Sequence, residues 1–182
     1  MSSIELAISK INALKDMIEF SVPEILLANT ISLKSEIQLR VQEEGKKSDG
    51  TQIGNYSTRK ANPLIFLGKG TATTDNKLKA LAKKGKKISS SEFRKLDGKQ
   101  NRYVDLTFTG RMFKDIGISS NTNGNESTVV IAPKTQYSKT LVRKNTNKYG
   151  NFLQPTLEEI ANVNTDVNKQ IEAIIKRQIN DI

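Results

Sequence analysis

The stretch SSNTNGNESTVVIAP, Ser119 to Pro133, decides the fold class. Its first part is rich in Ser, Thr and Asn and centres on Asn123-Gly124, a dipeptide typical of turns. The part that follows, STVVIAP, contains an apolar run with β-branched residues and predicts a strand that is buried on at least one face. Because a strand after an Asn-Gly connector is typical of antiparallel pairing, the sequence predicts a small antiparallel sheet.

Two segments that precede this connector are candidates for further strands. YVDLTFT, Tyr103 to Thr109, alternates apolar and polar residues, which predicts a half-buried strand with Asp105 on the solvent face. Gly110 ends this strand. Residues 112–118 predict either a second strand or a short helical turn.

Helices are predicted at the N-terminus of the chain. Five apolar residues recur at spacings of three and four and form one face of a helix: Ile4, Ile8, Ile11, Leu14 and Ile18. The capping pattern SVPE at 21–24 favours a break before a second helix, and one long kinked helix is the alternative. The stripe of this second helix consists of Leu26, Leu33, Ile37 and Val41. Gly45 provides its C-cap.

The last predicted element is a helix that begins at a capping box, Thr156 to Glu159. Its apolar stripe is Ile160, Val163, Val167, Ile171 and Ile174. The predicted fold class is therefore α+β, with a helical N-terminus, a small antiparallel sheet and a C-terminal amphipathic helix packed on the sheet. We expect one domain, 1–182, which comprises a helical N-terminus at 1–45, a basic inserted arm or loop at 68–101, and the sheet with the last helix at 102–182.

The residue types that the chain lacks limit its chemistry. Its 182 residues include neither Cys nor His, which excludes disulfides, thiolate or His-ligated metal sites and nucleophilic constellations that rely on His. An enzyme that uses carboxylates or Lys remains an alternative. Asp105 and Asp115 are the pair considered for acid–base work, although a solvent-facing strand Asp is the simpler interpretation. We expect no enzyme activity, no cofactor and no metal site.

Apolar runs in the chain are short. None approaches the roughly 20 residues that a membrane-spanning helix needs, and no secretory signal precedes the first helix. We therefore expect a soluble protein that is made in a cytoplasm and has no membrane partner.

Four groups of short segments follow one another in a recognisable order. The first is LRVQEEG, Leu39–Gly45, where a helix ends in Arg and Glu-Gly, and the second is SDGTQIGNYST, Ser48–Thr58. The third is DLTFTGRMF, Asp105–Phe113. The fourth combines VVIAPKTQYS, Val129–Ser138, with KYGNFLQPTLEEI, Lys148–Ile160. In this order they resemble the head-to-tail joining, or tail-completion, proteins of tailed bacteriophages, a family of virion morphogenesis proteins.

The resemblance implies a structural protein of the virion, without catalysis, made in the host cytoplasm. Such proteins form a homo-oligomeric ring in the neck or at the tail end, and they bind portal- or adaptor-side and tail-side virion proteins. A ring implies a heterologous, head-to-tail interface between its subunits. The polar segments 46–58 and 137–152 are predicted as loops, with a short helix at 138–142 as an alternative in the second. They carry the candidate inter-subunit contacts: Asp49, Tyr56, Tyr137, Arg143, Tyr149 and Phe152.

The positive charge of the chain suggests an alternative function. Residues 59–102 contain 13 Lys and Arg against 3 Asp and Glu, whereas the net charge of the remaining residues is zero. A localised basic segment is the expected footprint of a nucleic-acid contact, which would make the chain a nucleic-acid-binding accessory protein. It is equally the composition of a solvated insertion. Six residues are candidates for contact with packaged DNA or with an acidic partner: Lys77, Lys79, Lys83, Lys84, Lys86 and Lys87.

Overall fold

The computed structural model describes residues 3–106, 111–123 and 126–180. Its elements, in chain order, are α1 (Ser3–Leu39), α2 (Ala72–Lys83), α3 (Ser90–Leu96), α4 (Arg111–Lys114), β1 (Ile116–Asn123), β2 (Glu126–Pro133), α5 (Gln136–Tyr149) and α6 (Leu157–Asn180). A π-helical turn, Arg40–Glu44, follows α1, and a 3₁₀ turn, Pro63–Phe66, precedes α2. The predicted α+β class is confirmed, and the described chain is mostly helical.

The N-terminal residues form one helix instead of the two that the capping pattern favours. Pro23 lies inside the 37 residues of α1. Proline removes one backbone donor, but its φ matches the helical value, so the chain on either side continues as a helix. The predicted end of this region is confirmed, since Gly45 has a φ of 66° and caps the π-helical turn that follows α1.

The sheet is the antiparallel hairpin of β1 and β2, in a register that pairs Ile118 with Ile131. The connector predicted at 119–128 therefore lies largely within the two strands. The strand predicted from Tyr103 is wrong for its described residues, because 103–106 are irregular and 107–109 lie outside the described chain. Val104 and Asp105 are consecutive and both buried, which a half-buried strand does not allow.

Residues 136–149 form the helix α5, where the sequence predicted a loop with a short helix at 138–142 as the alternative. The Thr135 hydroxyl accepts a hydrogen bond from the Ser138 N–H at 3.2 Å and begins this helix. At the start of α6 the predicted capping box is confirmed. Thr156 N–H donates to Glu159 Oε2 at 2.7 Å, and Glu159 N–H donates to Thr156 Oγ1 at 3.1 Å.

The chain divides into two compact units, each assembled from segments that are distant in sequence. Unit 1 comprises 1–37, 116–134 and 155–182, and therefore contains most of α1, the hairpin and α6. Unit 2 comprises 38–115 and 135–154. That 1–182 forms a single domain stays a prediction.

The segment 68–101, predicted as an arm or loop with a short helix or a coil at 77–87, contains α2 and α3 in unit 2. Their apolar side chains join a core of Phe66, Leu78, Ile88 and Phe93, in which the two Phe rings stack with centroids 4.9 Å apart. Burial of these apolar side chains is what gives the segment a fixed structure. The polar residues that dominate the composition of this segment lie on its surface. For that reason the composition did not indicate that the segment has a core.

Asp97 fastens the end of α3 to the beginning of α2. Its Oδ1 accepts from the Thr71 N–H at 2.8 Å, and Lys99 Nζ lies 2.8 Å from its Oδ2. Burial alone would raise the pKa of the Asp97 carboxyl, but the Lys99 ammonium and hydrogen bonds from Thr71 and Thr74 together lower it to about 2. The ionised carboxylate therefore stabilises the fold of this pair of helices.

Among the described helices, none has both the length and the apolar character that crossing a bilayer requires.

Candidate functional site

Arg40, at the end of α1, connects three chain segments of unit 2. Its Nη1 donates to the Lys46 carbonyl at 3.3 Å, and its Nη2 donates to the carbonyls of Phe152 at 3.4 Å and Gln154 at 2.9 Å. Ser48 Oγ donates to the same Gln154 oxygen at 2.7 Å. One buried guanidinium thus holds together the helix end, the polar loop after it and the segment that precedes α6.

The loop after α1 is itself ordered by Asp49. Asp49 Oδ1 accepts from the N–H of Thr51 at 2.9 Å and from its hydroxyl at 2.6 Å, as in an Asx turn. The Thr51 hydroxyl and N–H, together with the nearby Lys47 ammonium, lower the pKa of the Asp49 carboxyl. Asp49 remains exposed, so its other oxygen faces solvent beside Lys47.

The second feature of unit 2 is a buried ion pair. Arg94 Nη2 lies 2.5 Å from Asp105 Oδ2, and the two residues are only 1% and 3% exposed. Arg94 Nε also donates to the Gln100 carbonyl at 2.7 Å, and Gln100 Nε2 donates to Asp105 Oδ2 at 2.9 Å. Because each charged group has both its counterion and further hydrogen bonds, the cost of removing the pair from water is offset.

Tyr56 completes this network. Its hydroxyl donates to Asp105 Oδ1 at 2.6 Å, and the Arg94 guanidinium lies 4.6 Å from the centre of its ring. Burial, followed by the hydrogen bond to Asp105 and the negative charge of that carboxylate, raises the pKa of Tyr56 well above its ordinary value. The phenol therefore stays protonated and acts as a donor rather than as a base.

A cavity of about 320 Å³ lies next to this network in unit 2. Three of the six predicted contact residues line it, namely Tyr56, Tyr137 and Tyr149, and the apolar part of its wall includes Met112 and Leu141. Aromatic walls with hydroxyl groups are suited to holding a side chain of a neighbouring protein.

The predicted inter-subunit residues differ in their access to solvent. Asp49, Tyr137 and Arg143 are exposed, and Tyr56 and Tyr149 are half-buried. Phe152 is fully buried within the chain, so the prediction that its side chain is a surface contact is wrong. The contacts of the other five stay predictions.

The six predicted lysine contacts are all exposed and lie in or just after α2. Lys79 and Lys83 are offset from the buried Leu78 by about 100° and about 140° around the helix axis, which is the arrangement of an amphipathic helix. All six lysines belong to unit 2, which carries most of the positive charge of the chain. Unit 2 has 22 Lys and Arg against 8 Asp and Glu, a net charge of +14, whereas unit 1 has 7 against 11, a net charge of −4.

The two carboxylates considered for acid–base chemistry have separate structural partners. Asp105 belongs to the Arg94 network, and Asp115 Oδ2 accepts from the N–H of Thr135 at 2.9 Å and from its hydroxyl at 2.6 Å. Within 3–106, 111–123 and 126–180, no cluster of acidic side chains has the arrangement of a metal site.

Sequence reasoning gave no role to Arg94 and Gln100, and it noted Arg40 only as the Arg at the end of a helix. Each of them acts across loops, and contacts of that kind leave no periodic pattern in a sequence. A partial signal existed at Arg94, which follows the core residue Phe93 in a short helix and so lies next to the buried face.

Comparison of the chain with known protein families, with curated proteins and with solved structures finds no match.

Proposed function

We propose that the chain is a structural virion protein of the bacteriophage head-to-tail connector, which forms a neck ring or a tail-completion ring and joins the capsid portal to the tail. The observation that carries this proposal is the meeting of three of the segments that resemble the family. LRVQEEG provides Arg40, SDGTQIGNYST provides Ser48, and KYGNFLQP provides the Gln154 carbonyl that accepts hydrogen bonds from both.

Exposed apolar side chains give the proposal a second support. Ile4, Ile8 and Ile11 on α1 and Leu157 at the start of α6 are exposed in the isolated chain. Soluble proteins that work alone seldom leave several large apolar residues uncovered on one helix, and an assembly provides the cover. Exposed Tyr137 and Arg143 are of the types enriched at protein interfaces.

The proposal is tested in phage particles. In a phage whose genome encodes this chain, loss of the gene should leave filled heads and separate tails in electron micrographs, and the protein should be found in purified virions. Absence of the protein from virions would refute the proposal. The variant Tyr137→Ser/Arg143→Ser should reduce head–tail joining while the circular dichroism spectrum stays unchanged, and Lys15→Gln on α1 serves as a matched surface control.

A second candidate function is nucleic-acid binding, and the exposure of the six lysines of α2 and its following turn favours it. Its signature is an affinity for duplex DNA that falls steeply with salt concentration. The variant Lys83→Gln/Lys84→Gln/Lys86→Gln/Lys87→Gln should reduce both the affinity and the salt slope. A wild-type protein that does not bind DNA even at low ionic strength would exclude this function and leave the connector proposal untouched.

A further inference from the structure

One face of α1 carries a regular row of residues that the chain leaves largely uncovered, with Lys10 alone among them half-buried. The row has eight positions at alternating spacings of four and three: Leu6, Lys10, Ala13, Met17, Phe20, Glu24, Leu27 and Ile31. We call it the outer stripe. Phe20 is 75% exposed, Ile31 52% and Leu6 48%. At about 100° per residue, the outer stripe lies on the side of α1 opposite to Ile8 and Ile11.

The spacing of the outer stripe is that of a coiled-coil seam. Alternating steps of three and four residues keep a row of side chains facing one partner helix along its whole length. The row runs from Leu6 to Ile31, which at 1.5 Å per residue is about 38 Å of helix. The covering partner should therefore be another helix of similar length with a matching row.

The two charged residues of the outer stripe indicate which helix this is. Lys10 lies on one side of the midpoint of the stripe and Glu24 lies on the other. If a second copy of α1 runs in the opposite direction, Lys10 of each copy comes within one helical turn of Glu24 of the other. If it runs in the same direction and in register, Lys10 faces Lys10 and Glu24 faces Glu24, which is unfavourable.

We propose that two copies of the chain pair through their outer stripes, with the α1 helices antiparallel. The alignment that uses all eight positions places Met17 opposite Phe20, and Leu6 opposite Ile31. It also places the small Ala13 opposite Glu24, which leaves space for the carboxylate to reach Lys10. The pairing concerns the isolated chain and does not depend on the proposed role in a virion.

The first test measures the mass of the purified chain by sedimentation equilibrium. We expect a dimer with twice the 20.2 kDa of one chain. Phe20→Ser should raise the dissociation constant by about 100-fold, because each copy loses a large apolar side chain from the seam. Lys15→Gln, at an exposed position on the opposite face, should leave it unchanged. A wild-type chain that is monomeric at a concentration of about 100 µM, well above the range typical of stable dimers, would overturn the pairing.

Charge reversal tests the direction of the helices. Lys10→Glu and Glu24→Lys should each weaken the dimer by about tenfold, because the two-fold symmetry makes each change act twice. The double variant exchanges the charges and should restore pairing to near the wild-type value. A double variant that pairs no better than the single variants would refute the antiparallel arrangement, as would single variants that pair as well as the wild type.

Engineered cysteines provide a check that does not rely on affinity. The chain contains no Cys, so Leu6→Cys and Ile31→Cys each introduce a single thiol. With oxidised glutathione as the oxidant, a mixture of the two variants should give disulfide-linked pairs of one with the other, and each variant alone should give few. Efficient cross-linking of Leu6→Cys with itself would show a parallel arrangement and overturn the proposal.

Discussion

The Arg94 guanidinium lies 2.5 Å from the Asp105 carboxylate, and the chain excludes both from solvent. Replacing Asp105 with Asn leaves the arginine charge buried without its counterion, so we expect the free energy of unfolding to fall by about 3–5 kcal/mol. Denaturant unfolding measures this loss. Lys15→Gln, which removes the exposed ion pair with Glu19, is the control and should change the stability little. Equal, small effects of the two variants would contradict a structural role for the buried pair.

Tyr56 should make stability sensitive to alkaline pH. Its pKa is raised in the folded chain, so its contribution to stability is complete below the ordinary tyrosine pKa of about 10 and is lost as pH rises above that value. Tyr56→Phe removes the hydrogen bond to Asp105 and should cost about 1–3 kcal/mol near neutral pH. The difference from the wild type should shrink above pH 10, as measured by urea unfolding at several pH values. Tyr137→Phe, at an exposed position, should show no such pH dependence.

Asp97 should make the free energy of unfolding sensitive to acidic pH. Because its folded-state pKa is about 2, below the ordinary value, its contribution is present above about pH 4 and is lost as pH falls towards 2. Asp97→Asn weakens the links to Thr71 and Lys99 and should cost about 2 kcal/mol at neutral pH. Thermal unfolding of the two proteins between pH 7 and 2 should show curves that converge at the acid end. A constant difference in stability between the two proteins across this pH range would argue against the ionised Asp97 carboxylate as the source of the stabilisation.

Two glycines with the same backbone conformation provide a matched pair. Gly45 and Gly85 have φ values of 66° and 65°, so Ala at either position pays the cost of a left-handed conformation, about 1 kcal/mol. At Gly45 an added Cβ would also overlap the Tyr103 ring, whereas at Gly85 nothing lies within 4 Å of it. We therefore expect Gly45→Ala to destabilise the protein by about 1–3 kcal/mol more than Gly85→Ala. Equal losses in chemical denaturation would show that the Tyr103 ring moves aside without cost.

Local signals predicted the parts of this fold that depend on neighbouring residues. The capping box at Thr156, the glycine cap at Gly45 and the strand at 127–133 were all predicted, because each is decided within a few positions. The break at 21–24 was predicted wrongly, since a capping pattern favours a helix start but does not require one. The helix α5 was predicted only as a short alternative at 138–142, because most of its residues are polar.

Long-range pairing explains what the sequence could not reveal at the site. The alternation of apolar and polar residues around Asp105 predicts a solvent-facing strand residue. Its partners Arg94 and Tyr56 lie 11 and 49 positions away in the sequence, so no local pattern indicates them. The second apolar row of α1 was overlooked for a different reason. The stripe that begins at Ile4 meets the expectation of one apolar face on an amphipathic helix, and only side-chain exposure reveals that Phe20 and Ile31 belong to a second, exposed apolar row.

The hydrogen bond from Arg40 to Gln154 spans 114 positions of the chain. During synthesis on the ribosome, the Arg40 guanidinium can therefore bind this carbonyl only after the chain has been made as far as Gln154, the last residue of unit 2. During that interval the outer stripe, which lies entirely within the first 31 residues, is already available to a second nascent chain. On polysomes, where several copies are made side by side, pairing of two α1 helices would therefore precede the closure of unit 2.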